Sequence, residues 1–251
     1  MNGICTRFPL VYKGRNAYNR SMTQKEFLTN NTAVNVNEVH RFGTDALLLA
    51  RFCNVHRLES AADLGTGCGI IPLEWYDTGH RGRCIGVEIC ESAAALFAKS
   101  VAENNADNIT AVQADMRTFC TDGNFDVVAC NPPYFTAGAR SQNAERAAAR
   151  HEECCTLHDV CHTAFQLLKD GGRLCICLPP ARLADAITCM KNERIEPKRL
   201  CLVRKTLADT PWLLLLQGQK NRASGMVLAP DICLQNSDGT PTQHAVYGKG
   251  E

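Results

Sequence analysis

Three glycines alternate in Asp63-Leu64-Gly65-Thr66-Gly67-Cys68-Gly69, between a run that reads as a β-strand and one that reads as a helix. Glycine at these places lets the backbone take positive φ and lets a ligand approach with no Cβ in the way. Dinucleotide sites instead use G-x-G-x-x-G and seat a pyrophosphate on the helix N-terminus. The tighter spacing here, with an acid before it, suits a ligand carrying an ammonium group for Asp63 and a carboxylate for the helix N-terminus. The methionine end of S-adenosylmethionine has both. Two more acids end the following strand-like runs. Glu88 closes Cys84–Glu88, where it is expected to accept the two ribose hydroxyls of a nucleoside. Asp115 follows Ile109–Gln113, where it is expected to accept an adenine amino group.

A fourth strand-like run, Phe125–Cys130, leads directly into Asn131-Pro132-Pro133-Tyr134-Phe135. Two consecutive prolines end a strand and donate no hydrogen bonds, which leaves the Asn131 side chain and the Pro132 carbonyl as acceptors at the sheet's carboxyl edge. Open α/β sheets bind their ligands at that edge. An exocyclic amino group is a poor nucleophile because its lone pair is delocalised into the ring. Two acceptors, Asn131 Oδ1 and the Pro132 carbonyl, would take both its protons and turn the lone pair toward an electrophile. Tyr134 supplies a flat face for stacking a planar base, and Phe135 is a second candidate for holding a flipped base. The reaction class is therefore methyl transfer to a planar nitrogen, carried by positioning rather than by a strong base.

The glycine loop together with Asn131-Pro132-Pro133-Tyr134 resembles the class I S-adenosylmethionine-dependent methyltransferases that modify planar nitrogen. The flanking segments Arg41-Phe42-Gly43-Thr44-Asp45-Ala46-Leu47-Leu48-Leu49-Ala50 and Ala149-Arg150-His151-Glu152 resemble the bacterial tRNA(Val) adenine-N6-methyltransferases. The resemblance implies a Rossmann-like α/β fold, with a seven-stranded, mostly parallel sheet and one antiparallel edge strand. It also implies the adenine at tRNA position 37 as target. By matching positions, it places Gly43, Thr44 and Asp45 beside the methionine end of the cofactor. It joins Asn131 to the cofactor-facing set of Asp63, Gly65, Gly67, Gly69, Glu88 and Asp115. On the substrate side it sets Pro133, Phe135 and Arg150, and the catalytic residues are Asn131, Pro132 and Tyr134.

The elements that would position these residues follow from the alternation of apolar runs and breaks. Strands are expected at 61–64, 84–88, 109–113, 125–130, 173–178, 200–203 and 212–217, and helices at 70–76, 91–104, 156–168 and 181–192. Continuous apolar strands alternating with helices predict a parallel sheet covered on both faces. The connection at 206–211 is too short for a helix, so the last strand should run antiparallel at that edge. Thr44 is expected to cap a short apolar helix ending near Phe52. Lys169-Asp170-Gly171-Gly172 reads as a helix C-cap followed by a strand. The organisation expected is a polar N-terminal extension over 1–43, with a short strand at Leu10-Val11-Tyr12, a methyltransferase domain over 44–219, and a tail over 220–251.

Composition excludes several other classes. With 45% hydrophobic and 21% charged residues the 251-residue chain is neither disordered nor fibrous. The 27 Lys+Arg against 26 Asp+Glu exclude a uniformly basic nucleic-acid binder, though not a local basic face. Such clusters exist at Arg7, Lys13, Arg15, Arg20 and Lys25, at Lys191, Arg194, Lys198, Arg199, Arg204 and Lys205, and at Arg140, Arg146 and Arg150 after the catalytic turn. The 15 cysteines fall short of the roughly 8–10% that marks a disulfide scaffold, and no C-x-x-C pair occurs, so they are expected to be thiols. The cluster His151, Cys154, Cys155, His158, Cys161 and His162 is read as a half-buried helix face, and no metal is expected. With no apolar run long enough to span a bilayer and no signal peptide, the expectation is a cytoplasmic monomer whose partner is tRNA. Two other readings compete: a glutamine-N5 methyltransferase acting on a release factor, and a non-catalytic module that binds RNA or a nucleotide. The former usually carries a helical N-terminal domain, for which 1–43 is too short and polar. A mere binder has no need for two converging acceptors.

Overall fold

The computed structural model describes residues 23–132 and 155–245. The expected strand at 10–12 lies outside them, as do Pro133, Tyr134, Phe135, Arg140, Arg146, Arg150, His151 and Cys154.

A hairpin of β1 (Gln24–Phe27) and β2 (Ala33–Val36) comes first, and α1 (Thr44–Phe52) follows. Alternation then begins with β3 (Ala61–Leu64), α2 (Ile70–Asp77), β4 (Cys84–Glu88), α3 (Glu91–Glu103), β5 (Ile109–Gln113) and β6 (Phe125–Cys130). After the undescribed segment come α4 (Leu157–Leu167), β7 (Leu168–Leu178), α5 (Leu183–Asn192), β8 (Ile195–Arg204) and β9 (Leu213–Lys220). Two-residue strands β10 (Val227–Leu228) and β11 (Ile232–Cys233) complete the chain order.

The main sheet runs β10-β8-β9-β7-β6-β3-β4-β5, with β11 also on β8. β3 to β7 are parallel, and β9 is the reversed strand. It lies on the expected side of the sheet but is not outermost, because β8 flanks it antiparallel and the tail strands pair parallel to β8. Seven strands thus make the fold and the tail widens it by two short ones. Strict alternation divides the core. Val127, Ala129, Cys175, Cys177, Leu213 and Leu215 face the layer of α1, α2 and α3, whereas Val128, Cys130, Leu174, Ile176, Leu214 and Leu216 face α4 and α5. The cysteines in these strands pack as small hydrophobes.

Two local expectations are corrected. Gly43, extended at φ −110°, is the N-cap of α1, and Thr44 is its first residue with no side-chain cap. A Cβ at Gly43 would collide with the Asp45 carboxylate, which folds back over the helix start. The Lys169–Gly172 stretch does not separate helix from strand. β7 begins at Leu168 against Phe125, and a register shift between Phe125 and Val127 absorbs the positive-φ Gly171. At the start of α4, Thr156 forms a capping box with Asp159.

Residues 24–36 form a hairpin on α3 where the sequence suggested only polar loop. Polar side chains anchor it. Fully buried Asn35 donates its backbone N–H to Ser100 Oγ at 2.8 Å and its amide to Glu103 at 2.9 Å, while Asn104 bridges Ala33. Behind the glycine loop, the ring of Phe97 from α3 occupies the space a Cβ would need at both Gly69 and Gly86. Gly86→Ala should therefore destabilise the fold by about 1–3 kcal/mol through overpacking. Chemical denaturation should show that loss, and Phe97→Leu should recover part of it in the double variant.

Candidate active site

β3 ends at Leu64, paired with Val87 on one side and Cys130 on the other. The glycine loop, the turn after Glu88 and the turn at Asn131 therefore leave the sheet side by side at its carboxyl edge. They line a cavity of about 390 Å³ whose wall includes Gly65, Gly67, Glu88, Asp115 and Asn131. This volume lies within the range of small-molecule sites. Gly65 and Gly67 have φ of 71° and 57°, and a Cβ at Gly67 would meet nothing within 4 Å except the cavity space. Gly69 does not line the cavity. It caps α2 at φ 84° and makes room for Phe97.

Glu88 is fixed by two backbone donors. Gly67 N–H donates to Oε2 and Cys90 N–H to Oε1, each at 2.8 Å. Each oxygen keeps a second lone-pair direction for a diol. Asp115 is clasped by Arg117, whose Nε and Nη2 reach its two oxygens at 2.6–3.0 Å. That guanidinium holds the Asp115 carboxyl below the usual carboxylate range. Asp63 lies beneath the wall rather than on it. It is 1% exposed, and neither carboxylate oxygen has a hydrogen-bond partner among the described residues. Burial pushes it up to about 8, with the charge of Glu88 adding to the shift.

Asn131 bridges three elements. Its Nδ2 donates to Asp45 Oδ2 at 2.9 Å, and Cys177 Sγ on β7 donates to its Oδ1 at 3.0 Å. A carboxylate only accepts, so the contact with Asp45 sets which end of the amide is oxygen. Asp45 thus touches the amide of Asn131, whereas neither it nor Gly43 and Thr44 lines the cavity. Pro132 follows, half-buried.

The cavity wall also includes residues the sequence did not assign to a site, Val39, His40, Ile89, Cys90 and Met116, and Cys155, which was read as part of a half-buried helix face. Ile89, Cys90 and Met116 sit one or two positions beyond Glu88 or Asp115, so those acids could have flagged them. His40 and Val39 could not be found that way, because the hairpin's docking brings them in, with His40 Nε2 2.7 Å from Ser92 Oγ. Of the basic cluster at 191–205, Lys191 pairs with Glu196, Arg204 with Asp231, and Arg199 donates to the Phe52 carbonyl. His158 and His162 share Glu193 at 3.3 and 3.2 Å.

A glycine-lined cavity at the centre of a doubly wound sheet, with an acid at one strand end and an asparagine just past another, defines a class I methyltransferase. Residues 28–187 match the family model of the methyltransferase small domain. Proteins named tRNA1(Val) (adenine(37)-N6)-methyltransferase are similar over most of the chain. The one from Shewanella woodyi is 26% identical, covering 81% of this chain and 88% of its own, and the one from Porphyromonas gingivalis is 30% identical, covering 70% and 72%. A solved structure described as a predicted O-methyltransferase from Agrobacterium tumefaciens superposes with a TM-score of 0.63 at 18% identity, over 80% of this chain and 93% of its own. The chain belongs to the methyltransferase small domain family, among its tRNA1(Val) (adenine(37)-N6)-methyltransferases.

The residues present fit S-adenosylmethionine. The partnerless buried carboxylate of Asp63 suits an ammonium, Glu88 a ribose diol, and the bare glycines a close approach. Glu88→Ala should weaken S-adenosylmethionine binding about 10- to 100-fold in calorimetric titration, since the diol loses a charged acceptor and Gly67 its anchor. The Asp63 carboxyl, raised by burial, holds a proton that a cationic ligand would displace. Affinity should therefore rise between pH 5.5 and 7, by up to about tenfold per unit. Asp63→Asn should flatten that slope while leaving any titration of the ligand's own amine in place.

Proposed function

We propose that the protein transfers a methyl group from S-adenosylmethionine to the exocyclic N6 of adenine in tRNA, with the adenine at position 37 of a valine tRNA as target. The names of its relatives and the geometry of Asn131 support this reading, and the observation that carries it is the oriented amide. With Nδ2 committed to Asp45, the oxygen is the end that remains for a substrate N–H at the cavity wall. The reading includes a cytoplasmic monomer. Among the described residues no helix is long and apolar enough to cross a membrane.

In this reading Glu88 holds the ribose, Asp115 receives the adenine amino group of the cofactor, and Asp63 supports the ammonium. Ile89, half-exposed on the cavity wall, gives an apolar face for the cofactor's base. The bound cofactor supplies an electrophilic sulfonium methyl whose leaving group is a neutral thioether. Asn131 Oδ1 and the Pro132 carbonyl accept the two N6 protons and favour pyramidal nitrogen, so its lone pair is available for attack. Tyr134 stacks the target base. No strong base is needed while the amine is neutral, because the positively charged product sheds its proton to solvent after transfer.

Labelled S-adenosylmethionine incubated with bulk tRNA should yield N6-methyladenosine in nucleoside digests. 2-Methylguanosine instead would overturn the choice of base, and label entering protein but never RNA would replace the reading with glutamine methylation. Asn131→Ala should lower turnover about 10²–10³-fold while cofactor affinity stays near parental. Asn131→Asp would set a second carboxylate against Asp45. Such a pair ionises fully only at higher pH, so its residual activity should fall as pH rises.

A further inference from the structure

Cys177 stands where packing alone asks only for a small apolar side chain. It is fully buried on β7, on the sheet face covered by α1, in line with Cys175 and beside Leu215 of β9. The register explains what the thiol meets. Cys130 pairs with Ile176, so the first residue beyond β6, Asn131, comes level with Cys177, and their Sγ and Oδ1 atoms lie 3.0 Å apart.

We propose that Cys177 is a positioning residue of the methyl-transfer site, its S–H holding Asn131 Oδ1 from behind while Asp45 holds Nδ2. The inference rests on the reading of Asn131 as the acceptor of the substrate amine. An amide anchored at one end by Asp45 still pivots about its χ angles. A second contact on the oxygen removes that freedom and directs the remaining lone pair of Oδ1 at the cavity. A thiol suits the task because it is a weak donor. It orients the oxygen without drawing off much of the electron density that must accept the substrate N–H. The contact also costs little to bury, since a thiol is nearly apolar. Cys177 does not line the cavity, and its role in the reaction runs through Asn131.

The test is a double-mutant cycle read in steady-state kinetics with tRNA and S-adenosylmethionine. Cys177→Ala should lower kcat about 3- to 10-fold, the scale of one lost hydrogen bond, with KM for both substrates unchanged. Cys177→Ser, which keeps a donor in place, should recover most of that loss. In an Asn131→Ala background, Cys177→Ala should have no further effect on the residual kcat, because no amide is left to position. Cofactor titration and thermal unfolding of each variant establish that the comparison is between folded proteins. Parental kcat in Cys177→Ala, a loss confined to KM, or an equal loss in both backgrounds would each overturn the proposal while leaving Asn131 its role. Parental kcat in Asn131→Ala would instead overturn the reading of the site itself, and this inference with it.

Discussion

The active edge depends on one carboxylate, that of Glu88. It accepts the N–H of Gly67 from the loop after β3 and that of Cys90 from the turn after its own strand. Two loops that would otherwise move independently are thereby held at a fixed separation, and the cavity lies between them. The bonds are charge-assisted and so stronger than ordinary backbone contacts. They also orient the carboxylate before any ligand arrives, so that the ordering cost of binding is met by the fold. Behind the loop, Phe97 makes the same region intolerant of side chains, filling the space at Gly69 and Gly86 that any Cβ would claim. The loop is pinned in front by hydrogen bonds and backed by an aromatic ring.

The wall opposite the sheet is built by a different logic. The β1–β2 hairpin reaches α3 through Asn35, Asn104 and their partners Ser100, Glu103 and Ala33, and reaches α2 through Asp77, which accepts from the backbone of Asn30 and Thr32. Buried amides and hydroxyls of this kind are directional, so they fix the hairpin's angle as well as its contact. The chain leaving β2 consequently carries Val39 and His40 across to the end of β4, where His40 meets Ser92. A purely apolar patch would have held the hairpin as firmly but with less control over where its exit leads.

What was legible in the sequence is local. The ends of β3, β4, β5 and β6 agree with expectation to the residue, because each run stops at a glycine, an acid or a proline or within two residues of one. Glu88 at the end of β4, and Gly65, Asp115 and Asn131 just past the ends of the other three, line the cavity. Less legible were features decided by partners far along the chain. Asn35 reads as loop because its burial is made possible by Ser100 and Glu103. The reversal of β9 was legible but not its neighbours, because a short connection reveals that a strand reverses, and not whether another strand lies beyond it. Gly43 in place of Thr44 as the cap follows from Asp45, whose side chain bends back toward the helix start and toward Asn131. Cys177 carried no signal at all, since a thiol in an apolar strand looks like packing.

The sheet order also explains why chemistry converges here and at no other strand end. β3 is the strand from which the chain moves outward through β4 to β5 before returning to β6 on its other side. The crevice opened by that reversal is where doubly wound sheets bind ligands. Leu64 pairs with both Val87 and Cys130, so the next residues on three adjacent strands, separated by about 4.8 Å each, are Gly65, Glu88 and Asn131. A glycine with no Cβ, a carboxylate and an amide thus stand side by side on the cavity wall. A shift of one residue in the pairing of β3 with β6 would turn Asn131 to the other face of the sheet, away from Asp45 and Cys177. The apolar alternation of β6, with Val127 and Ala129 against one helical layer and Val128 and Cys130 against the other, is what forbids that shift. The core thus sets the register, and the register sets the reaction geometry.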